Sequence, residues 1–546
     1  MGHARWWQQA KFRCASRLAA GLASLLTLND AWASGDGTLP PQDLLQETSR
    51  AKLPPPEPGT IRLQLHGEYQ VRLTALSDLP LRPHPTRPGT ASLRQTERLQ
   101  HWLRLTPTLQ LLGPVQVVGQ LDFPTGLIAG RENELVGSAD DPLDDRHPLR
   151  SDLRWLYAEW LSGVARVRLG QQPSHFGLGI VENDGDHPTP FGDYHGGNRV
   201  ERAELSLNVL GASSPWRLRV AADLVYRDSF ADLTEHETAM RAVLSAHYEP
   251  ADESFFALYG ALRHQRNRNQ SLPGAEFDET LDWVTLDSTG RLRTEIPGVP
   301  GWAFAEYEVA VRLGNTSIAR TVSQEQNDEL EQIRAYGGAV RFGAAATSGA
   351  GANRFAHVVG SLEWGWASGD ADPYDGVYRR FDFNPNHNVG LILFDEVLAW
   401  KTARAASLAQ APELVGRPLT GTALLPSNGA IFGATYLHPL VVYRPVRVLD
   451  LQLGAVVAQT TADFVDPAGV HLDGDYANYD AGDVHNHDLG LELDAGVEYR
   501  ILLPYGSAVH LGSQAGILFP GNAFADATGS PLGRQYLAMG RLGVVY

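Results

Sequence analysis

The chain ends in an alternating segment that decides the fold, Gln535-Tyr536-Leu537-Ala538-Met539-Gly540-Arg541-Leu542-Gly543-Val544-Val545-Tyr546. Successive side chains of a strand point to opposite faces, so one face of this segment stays apolar up to the last residue. A soluble sheet seldom leaves a long apolar strand as an exposed terminal edge. A barrel in a membrane pairs its last strand with its first, so that no edge faces lipid. The ending therefore favours a closed transmembrane β-barrel.

The same segment resembles the C-terminal assembly signal of Gram-negative outer-membrane proteins, whose closing strand ends on an aromatic residue. The resemblance implies recognition of Tyr546 by the barrel assembly machinery. It also implies a bacterial outer-membrane location, in contact with outer-membrane lipid and lipopolysaccharide. The glycine that usually precedes the final aromatic pair would fall at Arg541 and instead stands at Gly540.

Residues 1–33 have the parts of a secretory signal peptide. Basic residues precede an apolar run at residues 18–28, which is too short to span a bilayer, and a small-x-small triplet ends at Ala33. We predict cleavage after Ala33, followed by a Pro-rich periplasmic lead-in over residues 34–59. The one cysteine, Cys14, lies inside the signal, so the mature chain would have no disulfide and no thiolate ligand.

The charge balance is acidic, with a formal net charge of −18 that becomes −21 once four Lys/Arg and one Asp leave with the signal. This balance argues against nucleic acid as a partner, because nucleic-acid binding needs clustered positive charge. No apolar run of eighteen residues follows the signal, and the mean hydropathy is −0.22. Alternating strands are then the remaining way for this chain to span a membrane.

Residues 60–546 contain eighteen alternating segments, each about nine to fifteen residues long, which is the length that a tilted strand needs to cross hydrocarbon. Short turns alternate with long polar loops, as in barrels with short periplasmic turns and long extracellular loops. The fold class predicted is all-β, a transmembrane antiparallel β-barrel of about 18 strands with both termini in the periplasm.

Residues 367–430 form one long extracellular excursion in this arrangement. The segment contains aromatic and aliphatic residues such as Phe381, Phe383 and Trp400, more apolar surface than a solvated loop exposes. Asp395 and Glu396 precede a spacing typical of a short helix. We expect the segment to fold at least partly into the barrel and narrow it, or else to cap the mouth.

The most distinctive block leads from a strand into a glycine-rich loop, Arg166-Val167-Arg168-Leu169-Gly170-Gln171-Gln172-Pro173-Ser174-His175-Phe176-Gly177-Leu178-Gly179. It resembles the Gly-Arg-Gln-Pro-Ser-His-Trp-Gly-Leu-Gly core of an uncharacterised family of large Gram-negative outer-membrane barrels. Gln171 replaces the usual Arg and Phe176 the usual Trp, and further matches lie at residues 381–387, 391–394 and 516–524. The resemblance implies a barrel similar to alginate-export-type porins, with no established activity.

Candidate lumen and constriction residues lie at inward strand positions and in this glycine-rich loop. They are Arg62, Arg72, Arg104, Arg166, Arg168, Ser174, His175, Arg217, Arg219 and Arg312. The arginines could attract anions, but inward carboxylates such as Glu306, Glu308, Glu492 and Glu498 make salt bridges within the wall the slightly favoured alternative. We predict no catalytic residue, because sequence neighbours such as Ser174 and His175 do not form a triad and no nucleophile elbow accompanies them.

Two acidic loop clusters contain weak calcium candidates, Asp184 and Asp186 in the first and Asp473 and Asp475 in the second. Asp193 and His195 belong to the first cluster as well. Neither cluster has EF-hand spacing, so solvated acidic loops are the favoured interpretation. We expect no cofactor.

A barrel of this strand number encloses an aqueous lumen. The function that we expect is therefore a porin-like channel for small or oligomeric hydrophilic solutes. The first alternative is a surface-exposed binding or structural barrel plugged by its own loops. An outer-membrane hydrolase is a third and less favoured interpretation.

Overall fold

The computed structural model describes residues 61–546 apart from 86–90, 94–96, 112, 131–149, 188, 193–195, 251–253, 270–276, 319–323, 325–326, 328, 350–354, 416–420 and 475. The predicted signal peptide (residues 1–33) and lead-in (34–59) lie outside the described residues. Asp193, His195 and Asp475 of the acidic clusters lie outside them too.

One closed sheet forms the wall of the molecule. It has 20 strands, two of which are only two residues long, Ala231–Asp232 and Val377–Tyr378, so 18 long strands make up the barrel. In chain order the long strands are β1 (Arg62–Leu76), β2 (Glu97–Gln110), β3 (Val115–Gly130), β4 (Arg150–Leu161), β5 (Ala165–Pro173), β6 (Arg199–Asn208), β7 (Trp216–Asp228), β8 (Glu237–Tyr248), β9 (Phe255–Asn269), β10 (Phe277–Glu295), β11 (Gly301–Thr316), β12 (Glu331–Ser348), β13 (Phe355–Ala367), β14 (Ala434–Val446), β15 (Leu449–Thr460), β16 (Asp488–Leu502), β17 (Ala508–Pro520) and β18 (Gln535–Val545).

Each long strand pairs antiparallel with the next, and β1 pairs antiparallel with β18. The register of this closing pair runs from Glu68 opposite Val545 to Leu76 opposite Leu537. The predicted antiparallel barrel of 18 strands is confirmed.

Tyr546 completes the closure beyond the end of β18. Its N–H donates to the carbonyl of Gly67 at 2.9 Å, and the N–H of Gly67 donates to the carbonyl of Tyr546 at 3.1 Å. The ring of Tyr546 covers Gly67, where a Cβ would lie 2.2 Å from the ring. The terminal aromatic ring can therefore pack on β1 only because position 67 is a glycine.

The alternation of the strands places apolar side chains outside and polar side chains inside. Leu63, Leu73 and Leu542 are exposed on the outer face, as are Val220, Leu262, Leu286, Leu453 and other aliphatic residues around the wall. The inner face buries charged groups such as Asp122 and Glu306. Apolar-out and polar-in strands are typical of barrels whose outer surface contacts lipid.

Two segments fold into the space inside the wall. The lumen loop, residues 174–198, connects β5 to β6, and the long insertion, residues 368–433, connects β13 to β14. The lumen loop has no helix or strand among its described residues. Phe381, Phe383, Ile392 and Val397 of the long insertion are among the most buried apolar side chains and belong to the principal apolar cluster.

The helices are short and lie mostly in the long insertion. A π-helical turn, Leu393–Leu398, runs directly into α1 (Ala399–Ala409), and α2 (Pro412–Val415) follows. Alanine-rich sequence favours helix here, and Asp395 and Glu396 lie in the first turn near its positive end, as expected. α3 (Pro467–Asp473) follows β15, and short 3-10 turns occur at Leu233–Glu235, Thr422–Leu424, Pro504–Gly506 and Asn522–Phe524. Within the described part of the chain, every helix is too short or too polar to cross a membrane.

Candidate functional site

The lumen loop is attached to the far wall through one carboxylate, Glu308 of β11. The N–H of Gly179 donates to Oε2 at 2.9 Å, and the N–H groups of Ile180 and Val181 donate to Oε1 at 3.2 Å and 3.3 Å. Gly177 adopts φ +61°, and a Cβ there would lie 2.4 Å from Oε2. Glycine is required because only a backbone without side chains can approach the carboxylate this closely.

The lumen loop also contacts other strands of the wall as it crosses the interior of the barrel. Phe176 packs on Tyr259 of β9 with ring centroids 5.0 Å apart. Nε2 of Gln514 on β17 donates to the carbonyl of Pro190 at 2.5 Å. Phe191 covers Gly454 of β15, where a Cβ would lie 2.7 Å from the ring. The loop therefore contacts strands on several sides of the barrel and crosses the lumen.

The long insertion is attached in the same way to Glu492 of β16. The N–H groups of Leu391 and Ile392 donate to Oε1 at 2.5 Å and 2.8 Å, and the N–H of Leu393 donates to Oε2 at 2.7 Å. Gly390 precedes this turn with φ +97°, and a Cβ there would lie 2.8 Å from Oε1 of Glu492. Each inward segment thus presents three consecutive N–H groups and a glycine to a wall glutamate.

The two inward segments also bind each other. Nδ2 of Asn384 donates to Oδ1 of Asn198 at 2.9 Å, and the N–H of Asn384 donates to the carbonyl of Ile180 at 2.8 Å. His387 lies 3.1 Å from the carbonyl of Leu178 through Nδ1 and 3.0 Å from Glu363 of β13 through Nε2. The lumen loop and the long insertion therefore form one partition inside the barrel.

A cavity of about 140 Å³ lies between this partition and the wall formed by β1, β2 and β18. Its charged lining combines cations and carboxylates from wall and partition. These residues are Arg72, Arg98, Arg227, Asp228, Asp395 and Glu396. Nη2 of Arg98 lies 2.5 Å from Oε1 of Glu396, which attaches the long insertion to β2 beside the cavity. The lining also includes apolar side chains such as Phe191, Leu391 and Trp400, so the cavity combines charges of both signs with apolar surface.

The structure places four of the eight predicted lumen arginines against carboxylates. The pairs and their shortest N–O distances are Arg104 with Asp122 at 2.9 Å and with Asp186 at 2.7 Å, Arg166 with Glu204 at 3.0 Å, Arg168 with Glu159 at 2.6 Å, and Arg217 with Glu249 at 2.7 Å. Such pairing stiffens the wall and offsets the positive charge of the guanidinium groups.

The other predicted arginines have different neighbours. Arg72 donates to Oε1 of Gln100 at 2.9 Å and reaches the cavity. Arg219 donates to Oγ of Ser245 at 3.0 Å. Arg312 lies over the ring of Phe381 at 4.7 Å, beneath the long insertion, and Arg62 is half-buried at the start of β1. Only Arg72 in this group borders the cavity.

Ser174 and His175 face different partners. Oγ of Ser174 accepts a hydrogen bond from Nη2 of Arg202 at 3.1 Å. The ring of His175 stacks on that of His187, with centroids 4.1 Å apart. Burial lowers the pKa of His175 to about 4, so the imidazole is neutral near neutral pH.

The first acidic cluster divides between two kinds of partner. Oδ1 of Asp184 lies 2.9 Å from Nδ1 of His187, whereas Oδ1 of Asp186 lies 2.7 Å from Arg104 and 3.1 Å from Arg154. Calcium prefers a set of oxygen ligands. Among the described residues, Asp184 and Asp186 do not face a common oxygen-lined centre of that kind. The side chain of Asp473 and all of Asp475, the other calcium candidates, lie outside the described part of the chain.

Sequence reasoning placed Glu308 and Glu492 on the inner face but did not assign them to the inward segments. Arg98 and Asn384 had no assigned role, and Glu396 was assigned only to the start of a short helix. Asn384 stands in a Phe-Asp-Phe-Asn-Pro-Asn-His stretch whose Asn-Pro-Asn chemistry indicates a turn. The Asn-Pro-Asn sequence indicates a turn but does not show which residue Asn384 contacts, because Asn198 lies 186 residues away in the chain.

No family model and no curated protein matches this sequence. Several solved structures are similar to it at low sequence identity. A BenF-like porin from Pseudomonas fluorescens Pf-5 has 10% identity and a TM-score of 0.46, with 88% of this chain and 98% of that chain covered. The outer membrane protein OprD from Pseudomonas aeruginosa has 8% identity and a TM-score of 0.46, covering 88% and 94%. OccK5 (OpdH) from Pseudomonas aeruginosa has 11% identity and a TM-score of 0.44, covering 88% and 97%.

Proposed function

We propose that this protein is a porin-like channel of the bacterial outer membrane, through which small or oligomeric hydrophilic solutes pass. The observation that carries the proposal is the closed barrel of 18 strands with an apolar outer face, inside which a cavity with charged groups in its lining lies beside the partition. The lumen of a barrel of this size is filled with water unless loops occupy it. In this protein the lumen loop and the long insertion narrow the lumen.

A second candidate function, a loop-plugged binding or structural barrel, is favoured by how firmly the partition is attached. Glu308 and Glu492 each receive three backbone N–H groups, and Arg98 pairs with Glu396. A partition held at so many points would admit only narrow solutes or none.

The proposed selectivity is a weak preference for anions. Arg72, Arg98 and Arg227 contribute positive charge to the cavity, while Asp228, Asp395 and Glu396 contribute negative charge to it. Opposite charges at this spacing largely cancel beyond a Debye length of about 8 Å at physiological salt. The proposed relation to alginate-export-type porins rests on the glycine-rich block, whose glycines approach the wall glutamate.

The proposed partners are outer-membrane lipid and lipopolysaccharide along the apolar outer face, and the barrel assembly machinery through Tyr546. Tyr546 keeps 42% of its surface exposed while its backbone pairs with Gly67, so part of the ring remains available to an assembly factor. No nucleic-acid partner is proposed, given a net charge of −18.

Single-channel recording in planar bilayers tests the proposal. The purified protein is compared with a variant in which residues 370–426 are replaced by a short Gly-Ser linker. A second variant, in which the exposed loop residues 527–530 are replaced by two glycines, controls for loop shortening as such. Salts and oligosaccharides of graded size serve as solutes.

For a channel narrowed by the long insertion, we expect conductance from the wild-type protein and a larger conductance from the long deletion alone. Conductance from the deletion but not from the wild type would favour the plugged barrel. Equal conductance in all three proteins, each correctly folded, would show that the long insertion caps the mouth without narrowing the lumen. A reversal potential of strong cation selectivity would contradict the anion preference.

A further inference from the structure

The lumen loop brings together three side chains that commonly bind metals, His175, Asp184 and His187. One ligand atom from each lies within 4.8 Å of the other two. Nδ1 of His187 lies 2.9 Å from Oδ1 of Asp184, and Nδ1 of His175 lies 3.8 Å from the same oxygen. Ligand atoms around a tetrahedral zinc ion stand roughly 3.4 Å apart, a value between these two distances. All three ligand atoms lie within 4.8 Å of one another, so a modest movement of the side chains would bring them onto one ion.

The environment leaves Nδ1 of His175 without a hydrogen bond. Nδ1 of His175 is buried, and the Asp184 oxygen nearest to it lies beyond hydrogen-bonding distance. The two imidazole rings are stacked, with an interplanar angle of 28°.

The neighbouring cations are satisfied elsewhere. Arg154 donates to the backbone carbonyl of Asp184 at 2.6 Å rather than to its carboxylate. The side chain of Arg154 lies 3.1 Å from Asp186, and Arg104 is bound by Asp122 and Asp186. The carboxylate of Asp184 therefore faces the two imidazoles, and its Oδ1 also accepts a hydrogen bond from the N–H of Asp186 at 3.0 Å.

The chemistry of the donor set selects the kind of ion. Two imidazole nitrogens and one carboxylate oxygen suit zinc, cobalt, nickel or copper, whereas calcium and magnesium prefer oxygen alone. Three protein ligands would leave a fourth position for water. The side chains of His175 and His187 retain 15% and 22% exposure, which gives an ion a route from the interior of the barrel.

We propose that His175, Asp184 and His187 bind one divalent transition-metal ion, such as Zn²⁺, within the lumen loop. The ion closes the segment from residue 175 to residue 187 into a ring and stiffens the partition beside Glu308. The site does not depend on whether the barrel conducts, so the failure of one proposal leaves the other standing.

The test is a titration of the full-length mature protein with Co²⁺, purified without a polyhistidine tag and treated beforehand with a chelator. Visible absorption detects tetrahedral cobalt, and competition with Zn²⁺ gives the relative affinity. The variants are His187→Gln and Asp184→Asn. The matched control is the double substitution of His485 and His487 by Gln, since these exposed imidazoles lie 3.1 Å and 3.6 Å from the carboxylate of Asp463.

We expect one Co²⁺ per chain in the wild type and in the control, with tetrahedral bands. Each lumen-loop substitution should weaken binding by at least about tenfold, the loss typical of removing even an outer-shell partner. Heat-dependent mobility in SDS gels reports whether each barrel has folded. Where one lumen-loop variant does not fold, the other decides. The proposal is overturned if folded wild type binds no Co²⁺, or if binding disappears in the His485 and His487 control and persists in either lumen-loop variant.

Discussion

The backbone N–H of Gly179 donates a 2.9 Å hydrogen bond to Oε2 of Glu308, although 129 residues separate the two in the chain. Leu391 and Glu492 repeat the relationship at 2.5 Å across 101 residues. Consecutive N–H groups that converge on one oxygen pair form a strong anion-binding arrangement, and ionised acceptors make the shorter and stronger hydrogen bonds. The wall glutamates therefore set where each inward segment lies in the barrel.

The first prediction concerns Glu308. In Glu308→Gln, an amide NH₂ replaces one acceptor oxygen and meets backbone N–H groups of the lumen loop. A hydrogen bond to a charged group contributes about 1.5–3 kcal/mol, so the local stability of the loop should fall by that order. Hydrogen exchange at Gly179, Ile180 and Val181 should accelerate, and single-channel current should become noisier.

Glu295→Gln is the matched control for this substitution, because Glu295 is exposed at the end of β10. The control should leave exchange and current unchanged. Full protection of the Gly179 amide in folded Glu308→Gln would contradict the assigned role of the wall glutamate.

The second prediction concerns Gly390. Its φ is +97°, and a Cβ would lie 2.8 Å from Oε1 of Glu492 and 2.9 Å from Cγ2 of Val456. Gly390→Ala should therefore cost about 1–3 kcal/mol and move the long insertion away from β16. Gly540→Ala is the control, since a Cβ at Gly540 would meet nothing within 4 Å. Equal free energies of unfolding for the two variants in urea with phospholipid vesicles would rule out this explanation of Gly390.

The third prediction compares a buried ion pair with an exposed one. Nζ of Lys401 on α1 lies 2.5 Å from Oδ1 of Asp480, and only 1% of the Lys401 side chain is exposed. Lys401→Met leaves a buried carboxylate without its partner and should cost about 3–5 kcal/mol. Arg217→Met, which breaks the exposed pair with Glu249, should cost about 0–1 kcal/mol.

A double-mutant cycle with Asp480→Asn separates the pairing from other effects. Lys401→Met combined with Asp480→Asn should recover part of the loss, because no charge remains buried. If the double variant loses more free energy of unfolding than the two single variants lose together, the ion pair is not the cause of the loss. Unfolding in urea, followed by tryptophan fluorescence, supplies the free energies.

The fourth prediction is a pH dependence in the turn after β13. Oδ2 of Asp370 accepts a hydrogen bond from the N–H of Arg379 at 3.0 Å, and burial raises the pKa of Asp370 from 3.8 to about 6. A carboxyl with a raised folded pKa favours the protonated form, so the turn is most stable below pH 3.8. It loses stability as pH rises to about 6, by at most about 3 kcal/mol.

Hydrogen exchange of the Arg379 amide, corrected for the intrinsic rate at each pH, measures this loss. Asp370→Asn should flatten the profile between pH 4 and pH 6, while costing about 1 kcal/mol for the lost acceptor. Asp375→Asn removes an exposed carboxylate of the same turn that adds only slightly to the raised pKa of Asp370, so most of the wild-type slope should remain. A wild-type profile that is flat, or that rises with pH, would be incompatible with the assigned cause.

Alternation in the sequence was sufficient to predict the barrel. In β18 the period of two places Leu542 outside and Leu537 inside, and a period is a property of a few neighbouring residues. The same local rule placed Arg104, Glu308 and Glu492 on the inner face before any contact was known. The requirement that lipid face no open edge then determined that the strand ending at Tyr546 pairs with the first strand.

Only the tertiary structure decided what those inward groups contact. Arg98 meets Glu396 across 298 residues, and Glu308 meets three N–H groups of a loop with no periodic pattern of its own. The meeting of His175, Asp184 and His187 likewise depends on how that loop folds inside the barrel. The alternation of apolar and polar residues in a strand is local and repeats every two residues, so the sequence alone determines it. Loop paths depend on many distant, individually weak contacts with the finished wall, so they are determined only when the barrel has closed.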